Sequence, residues 1–367
     1  MKPTLSSPRS ADLEITSRCN ARCRYCYFYH NDGVGYSDLP TQTWLDFLAE
    51  LGEAKVMYVT LAGGEPLLRE DIFDLIEGIV RNRMRFELLT NGWPVNRDVA
   101  RRLKQTGRCY SVEVTLDGST AAVHESMRGE GSFRPAVEAI QILQEEGLPV
   151  TVRVNVHAQN VDDLPAIVGL LLDELKLRFI RTAGVSSVGT KEKYPADVFP
   201  TASQRLRAMR LLAELDAQYP RRIQASSGPL AQWRLFRAME EARESGASLP
   251  GGGFLSGCGC VLLRVSVRCD GAYVPCVLLP QMVAGYIGQD RLEDVWQDSP
   301  VLHEIRSRIH MSMDSFSECQ GCAYVALCTG SCAAGALSLL EDARRPNPEE
   351  CLRQFKEELA SAGITPW

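Results

Sequence analysis

Residues 14–30 read EITSRCNARCRYCYFYH, a β-rich run that breaks into three cysteines, Cys19, Cys23 and Cys26, with Tyr25 just before the third. Thiol sites for zinc or for a cubane iron–sulfur cluster normally take four ligands. Three thiols in one loop therefore leave a coordination position for something else. A zinc site short of one ligand and a group of free thiols are the competing readings.

The chain around this loop alternates short strand patterns with helical ones. ADLEITS leads into the cysteines, and KVMYVTLAGG, RFELLTNG, CYSVEVTLDG, PVTVRVNVHAQN and LRFIRTAGVSS follow at intervals as further strands. Between them TQTWLDFLAELGEA, EDIFDLIEGIVRNR, NRDVARRLKQTG, FRPAVEAIQILQEEG and VDDLPAIVGLLLDELK have helical spacing, and TASQRLRAMRLLAELDAQY supplies a sixth helix. Such alternation means βαβ units and a parallel sheet. Six repeats predict an α/β fold, a partial (β/α)6 barrel over residues 1–195. Active sites in such sheets lie at the C-terminal strand ends, where the cysteine loop, AGGEP, TNG and LDG all fall. Residues 196–257 are expected to hold the sixth helix and a linker, with the pattern loosening from about 218 and SLPGGGFLSG reading as a loop. Residues 258–367 form a small cysteine-rich region. It opens with CGCVLLRVSVRCDGAYVPC, a β-hairpin about an Asp-Gly turn, continues in short helical pieces, and ends in a helix near PEECLRQFKEELASAG.

Composition narrows the class. The 367 residues are 45% hydrophobic and 23% charged with a net charge of −6. Neither nucleic acid nor an anionic membrane is an expected partner. No apolar run of about twenty residues is present, and MKPTLSSPRSAD has no signal-peptide core, so a cytoplasmic location is expected. There the thirteen cysteines point to metal or redox chemistry rather than disulfides. They cluster at 19–26, 258–276 and 319–332, with Cys109 and Cys351 apart. No Ser-His-Asp order or phosphate loop is present, and the five histidines have no metal spacing.

Cys19-x-x-x-Cys23-x-Tyr25-Cys26 resembles the CxxxCxΦC signature of the radical S-adenosylmethionine (SAM) enzymes, Φ being aromatic. The resemblance implies a [4Fe–4S] cluster on Cys19, Cys23 and Cys26 whose open iron chelates the amino and carboxylate groups of SAM. One electron then splits the C5′–S bond and yields a 5′-deoxyadenosyl radical. Gly63-Gly64-Glu65-Pro66 matches the family's GGEP motif and is expected to hold the SAM ammonium, the glycines permitting close approach. Tyr25 is expected near the adenine, with backbone from Ala183 to Val185 completing that pocket. Thr115, Asp117 and Arg128 are candidates for the ribose or carboxylate, and Asn155 is a further candidate at a strand end. Asp117-Gly118 also reads as a simple turn and Arg128 as a surface charge.

Cys319-x2-Cys322-x5-Cys328-x3-Cys332 and Cys351, preceded by Cys258 and Gly271-x4-Cys276, resemble the seven-cysteine SPASM domain of radical SAM peptide-modifying enzymes. It implies two auxiliary iron–sulfur clusters, making three in all. Interleaved ligation assigns Cys258, Cys276 and Cys332 to the first and Cys319, Cys322, Cys328 and Cys351 to the second. Cys260 or Cys269 could be an eighth ligand, with strand alternation placing Cys258 and Cys260 on one face. Without an eighth ligand the first cluster has an open iron for a substrate thiolate or amide. Cys109 reads as an unreactive buried thiol.

The resemblance implies a peptide maturase that abstracts hydrogen from a ribosomally made precursor and forms a thioether or a C–C or C–O crosslink. A flavodoxin or ferredoxin would supply electrons. With about ten residues ahead of the barrel, leader recognition is expected to use a separate protein or another surface. A sulfatase-type formylglycine maturase, a radical SAM enzyme acting on a small molecule, and a non-catalytic iron–sulfur or zinc electron-transfer protein are the alternatives.

Overall fold

The computed structural model describes residues 5–30, 35–185 and 197–366. Its centre is a ten-stranded sheet. The strands are β1 Ser10–Thr16, β2 Tyr58–Gly63, β3 Arg85–Thr90, β4 Cys109–Thr115, β5 Val150–Val156, β6 Ile180–Gly184, β7 Ile223–Ala225, β8 Arg264–Val267, β9 Ala272–Val274 and β10 Gly285–Tyr286. Their order is β10-β9-β8-β1-β2-β3-β4-β5-β6-β7. Every pairing from β8 through β7 is parallel, and only the β8–β9–β10 end is antiparallel. The sheet stays open, with β10 and β7 as its edges.

Alternation along the strands explains the layering. Leu13 and Ile15, Val59 and Leu61, Phe86 and Leu88, Val112 and Val114, and Val152 and Val154 are buried, in one core with Trp44, Leu48, Ile76 and Ile140 of the flanking helices. Those helices, Thr41–Glu53, Ile72–Arg81 and Phe133–Glu145, return the chain between parallel strands. Side chains of opposite parity take the other face, and there Glu87, Glu113, Arg153 and Arg181 pair. Arg181 Nη1 reaches Glu87 at 2.7 Å and Glu113 at 2.8 Å, and Arg153 Nε reaches Glu113 at 2.5 Å. One sheet face is thus packed and apolar, the other polar and ion-paired.

The structure departs from the sequence reading in three places. The segment read as loosening after 218 contains β7 and an 18-residue helix, Gly228–Ser245. Its boundary residues, Pro229 in the first turn and Gly246 in left-handed conformation at the end, are helix punctuation that reads equally as loop. A helix over Ala121–Arg128 fills the stretch between LDG and MRGEG. The hairpin begins later than expected, because Gly259–Leu262 is a helical turn capped by Cys258, and its first strand, β8, joins the edge of the main sheet beside β1.

Behind the last repeats a second core joins Leu206, Met209, Phe236 and Met239 to Tyr324, Leu327, Leu352, Phe355 and Leu359. The C-terminal helix Leu352–Ser361 therefore anchors the cysteine-rich region to the helices Ala202–Gln218 and Gly228–Ser245. Among the described residues no helix is long and apolar enough to cross a membrane.

Candidate active site

The three-cysteine loop leaves the C-terminal end of β1, where the β1–β2 register slips between Glu14 and Thr16. Asp38 secures its start, accepting from Thr16 Oγ1 at 2.5 Å and from the Ser17 N–H at 2.6 Å. Its far end docks on the helix Ala121–Arg128 through Arg24 N–H to the Met127 carbonyl, 2.8 Å. All three thiols are partly exposed and free of disulfides.

The glycine turn is keyed into this loop. Gly64 N–H donates to the Thr16 carbonyl and Glu65 N–H to the Arg18 carbonyl, both at 2.8 Å. A Cβ on Gly64 would stand 2.2 Å from the Arg18 carbonyl oxygen, and one on Gly63, whose φ is +117°, 2.5 Å from that of Thr16. Pro66 opens a short helical turn for which Glu65 is the cap. The Glu65 side chain is completely buried. It accepts from Leu67 N–H at 3.1 Å, Thr90 Oγ1 at 2.9 Å and Asn91 N–H at 2.8 Å. Burial pushes its carboxyl up to about 7 against those bonds. Glu65 thereby ties the end of β2 to that of β3, and Asn91 in turn reaches Asn20 at 2.7 Å and Cys19 Sγ at 3.9 Å.

Four candidates far apart in sequence meet in one buried network. Tyr25 donates its hydroxyl to Asp117 and accepts from Arg128 Nη1 at 2.6 Å and from Asn155 Nδ2 at 3.3 Å. Asp117 also accepts from the Asn155 N–H at 2.7 Å and faces Arg128 at 3.5 Å. Burial first, and then the Asp117 charge, hold the Tyr25 phenol well above its ordinary range against the opposing pull of Arg128, so it stays protonated. Thr115 ends β4 in register with Arg153; it borders this network without a bond to it among those described. Val185, just past β6, donates to the Val156 carbonyl at 3.1 Å. Gly228 packs so tightly on this strand end that its own Cβ would lie 2.1 Å from the Gly184 nitrogen.

Sequence reasoning missed the residues that hold the network. Asn160 Nδ2 bridges the Asp117 and Asn155 carbonyls at 2.9 and 3.0 Å, and its Oδ1 accepts from His157 N–H. His124 Nδ1 accepts from Asp117 N–H at 3.0 Å, and burial pushes that ring down to about 4. His157 lies 6.2 Å from Tyr25, ring over ring. Its Nδ1 accepts from Gln159 N–H, so the neutral ring carries its proton on Nε2, which is buried and unpartnered among the described residues. The run VNVHAQN, dense in polar groups just past a strand, was the available signal.

Eight of the ten remaining cysteines fall into two sets. Cys260 shares hydrogen bonds with Cys258 and Cys276, which pulls Cys258 down to about 6, and Cys332 feels the charge of Cys276. Cys258 and Cys260 therefore meet, but through a helical turn and not through strand alternation. Cys269 is fully buried, with Glu14, Asp38 and Asp270 as its charged neighbours. Cys319, Cys322, Cys328 and Cys351 line one cavity with Met239, Met313 and Tyr324. Burial raises Cys109 to about 12, in keeping with an unreactive thiol.

Three thiols on the loop after β1, and two further sets of thiols in the C-terminal region, are a donor chemistry suited to iron–sulfur clusters. The radical SAM superfamily model matches residues 13–171, and the SPASM model, an iron–sulfur cluster-binding domain, matches residues 258–323. The chain belongs to the radical SAM superfamily. It is a radical SAM enzyme with a C-terminal SPASM domain. It is 27% identical over 356 residues to the mycofactocin maturase MftC of Mycobacterium ulcerans, covering 96% of this chain and 89% of that protein. It is 24% identical over 355 residues to the AdoMet-dependent heme synthase of Methanosarcina barkeri, covering 94% and 96%. Streptococcus suis SuiB, solved bound to precursor peptide SuiA, superposes with a TM-score of 0.74 at 16% identity, over 95% of this chain and 76% of that one. That likeness establishes the shared fold.

Proposed function

We propose that this radical SAM enzyme acts on a ribosomally synthesised peptide, joining two of its groups by a thioether or a C–C or C–O bond. Cys19, Cys23 and Cys26 would hold the SAM-binding cluster. Cys258, Cys260, Cys276 and Cys332 would hold one auxiliary cluster, and Cys319, Cys322, Cys328 and Cys351 the other. SAM bound at the first cluster supplies, on one-electron reduction, the 5′-deoxyadenosyl radical that takes hydrogen from substrate.

The residues present fit that group. Arg128 uses Nη1 on Tyr25 and Asp117, which leaves Nε and Nη2 to receive a carboxylate in bidentate fashion. Asn155, held through its own N–H on Asp117, is fixed for a ribose hydroxyl, with Thr115 beside it. The buried Nε2–H of His157 costs stability while unmatched, and a purine nitrogen stacked near Tyr25 is a suitable acceptor. Gly63, Gly64, Glu65 and Pro66 set the position of the cysteine loop, and the backbone to Val185 closes the far side. A flavodoxin or ferredoxin would donate the electron, and a separate protein would recognise the leader peptide.

The observation that carries the peptide reading is similarity, over 94% of this chain, to a PqqA peptide cyclase on a sheet whose edges stay apart, leaving its polar face open to a chain. Similarity to the heme synthase favours a second reading, an iron–porphyrin substrate. Anaerobic turnover with SAM and reductant decides between them. The peptide encoded by a short reading frame beside the gene should lose two hydrogens by mass and accelerate 5′-deoxyadenosine release. Acceleration by iron coproporphyrin and not by any such peptide would sink the peptide reading.

A further inference from the structure

We infer that Arg308 is the built-in countercharge of the auxiliary cluster at Cys258, Cys260, Cys276 and Cys332, and that it raises that cluster's reduction potential. The inference rests on the proposal that these thiols bind a cluster. Arg308 follows the helix Pro300–Ser307 and is wholly buried. Nε donates to the Ser256 carbonyl at 3.3 Å and Nη2 to that of Ser331 at 2.9 Å, while Nη1 donates to the carbonyls of Ala343 and Arg345. Ser256 lies two residues before Cys258, and Ser331 immediately before Cys332. Ser256 Oγ also donates to the Ser331 carbonyl at 2.8 Å. One guanidinium therefore clamps two of the three segments that carry thiols of this set.

All its acceptors are carbonyls, and among the described residues no carboxylate pairs with it. Burying a cation without a counter-ion is costly. Burial pushes this guanidinium below its ordinary range, against the pull of Cys332, Cys258 and Cys260 and then of Asp342. Four thiolates on iron would supply the close negative charge that no ion-paired carboxylate provides. A fixed cation stabilises whichever state of a neighbouring cluster holds the extra electron. The cluster beside Arg308 therefore accepts an electron more readily than it would without that charge.

The test compares Arg308→Lys with Arg308→Gln in anaerobically reconstituted enzyme, by iron content and an EPR-monitored redox titration. The lysine variant should load like wild type and keep its potentials. The glutamine variant should either lose the irons of one cluster or make one cluster at least tenfold harder to reduce, 59 mV for one electron, with the other two unmoved. Identical behaviour of the two variants, or a defect confined to lysine, overturns the role of charge. Wild-type protein that binds only the irons of the first cluster would instead overturn the cluster proposal itself.

Discussion

Gly64→Ala tests the keying of the glycine turn into the cysteine loop. The new Cβ would sit 2.2 Å from the Arg18 carbonyl oxygen, 2.7 Å from its carbon and 3.1 Å from the Ser17 oxygen. These are backbone atoms, so no side chain can swing aside, and the loop must retreat by about an ångström. Overpacking of this kind costs about 1–3 kcal/mol. The retreat also stretches the bonds from Gly64 and Glu65 N–H to Thr16 and Arg18, each contributing about 0.5–1.5 kcal/mol. The expected loss is about 2–6 kcal/mol, concentrated beside Cys19. Iron content and EPR after anaerobic reconstitution should show the SAM-responsive cluster lost or unresponsive and the auxiliary clusters retained. Gly169→Ala, which meets nothing within 4 Å in a helix, is the control and should be neutral or stabilising by up to about 1 kcal/mol. A Gly64→Ala protein with wild-type iron, melting temperature and SAM response would refute the reasoning.

Three further outcomes are expected. Asp117→Asn leaves the buried Arg128 without its carboxylate and should cost about 3–5 kcal/mol by chemical denaturation; a loss below about 1 kcal/mol would contradict the network. Glu65 is raised to about 7 from an unfolded value near 4.5, so its stabilising contribution is full below about 4.5 and is lost as pH rises to about 7. The stability gap between wild type and Glu65→Gln should accordingly narrow across that window by up to about 3 kcal/mol, and a gap that widens would reverse the assignment. Cys260→Ser should disturb the iron content or EPR of one auxiliary cluster while Cys269→Ser leaves all of them intact; the reverse pattern would move the eighth ligand to Cys269.

The sheet was legible because its buried face is written as alternation in every long strand, Leu13 and Ile15 or Val152 and Val154 being clear cases. β7 was not, since three residues with one buried side chain carry no periodicity. The seat of β8 beside β1 depends on two segments at opposite ends of the chain, which no local pattern links. The site divides in the same way. Motif residues announced themselves by spacing, but Tyr25 and Asp117 are 92 positions apart, and only folding shows that they are hydrogen-bonded. Asn160, His124 and Asp38 support others through side-chain hydrogen bonds to nearby groups, a role that any loop asparagine, histidine or aspartate could have. Glu65 shows the limit of a motif: the sequence marks it for the ligand, whereas its oxygens accept from Leu67, Thr90 and Asn91.

The central claim is that Cys19, Cys23 and Cys26 hold a cluster with one iron free for SAM. Mössbauer and EPR spectroscopy of anaerobic wild-type protein, beside a variant with these three cysteines changed to alanine, addresses it directly. Wild type should carry about twelve irons, change its EPR signal on adding SAM, and release 5′-deoxyadenosine and methionine under dithionite, while the variant keeps about eight irons and does neither. Equal iron in the two proteins, or a first cluster indifferent to SAM, would contradict the account.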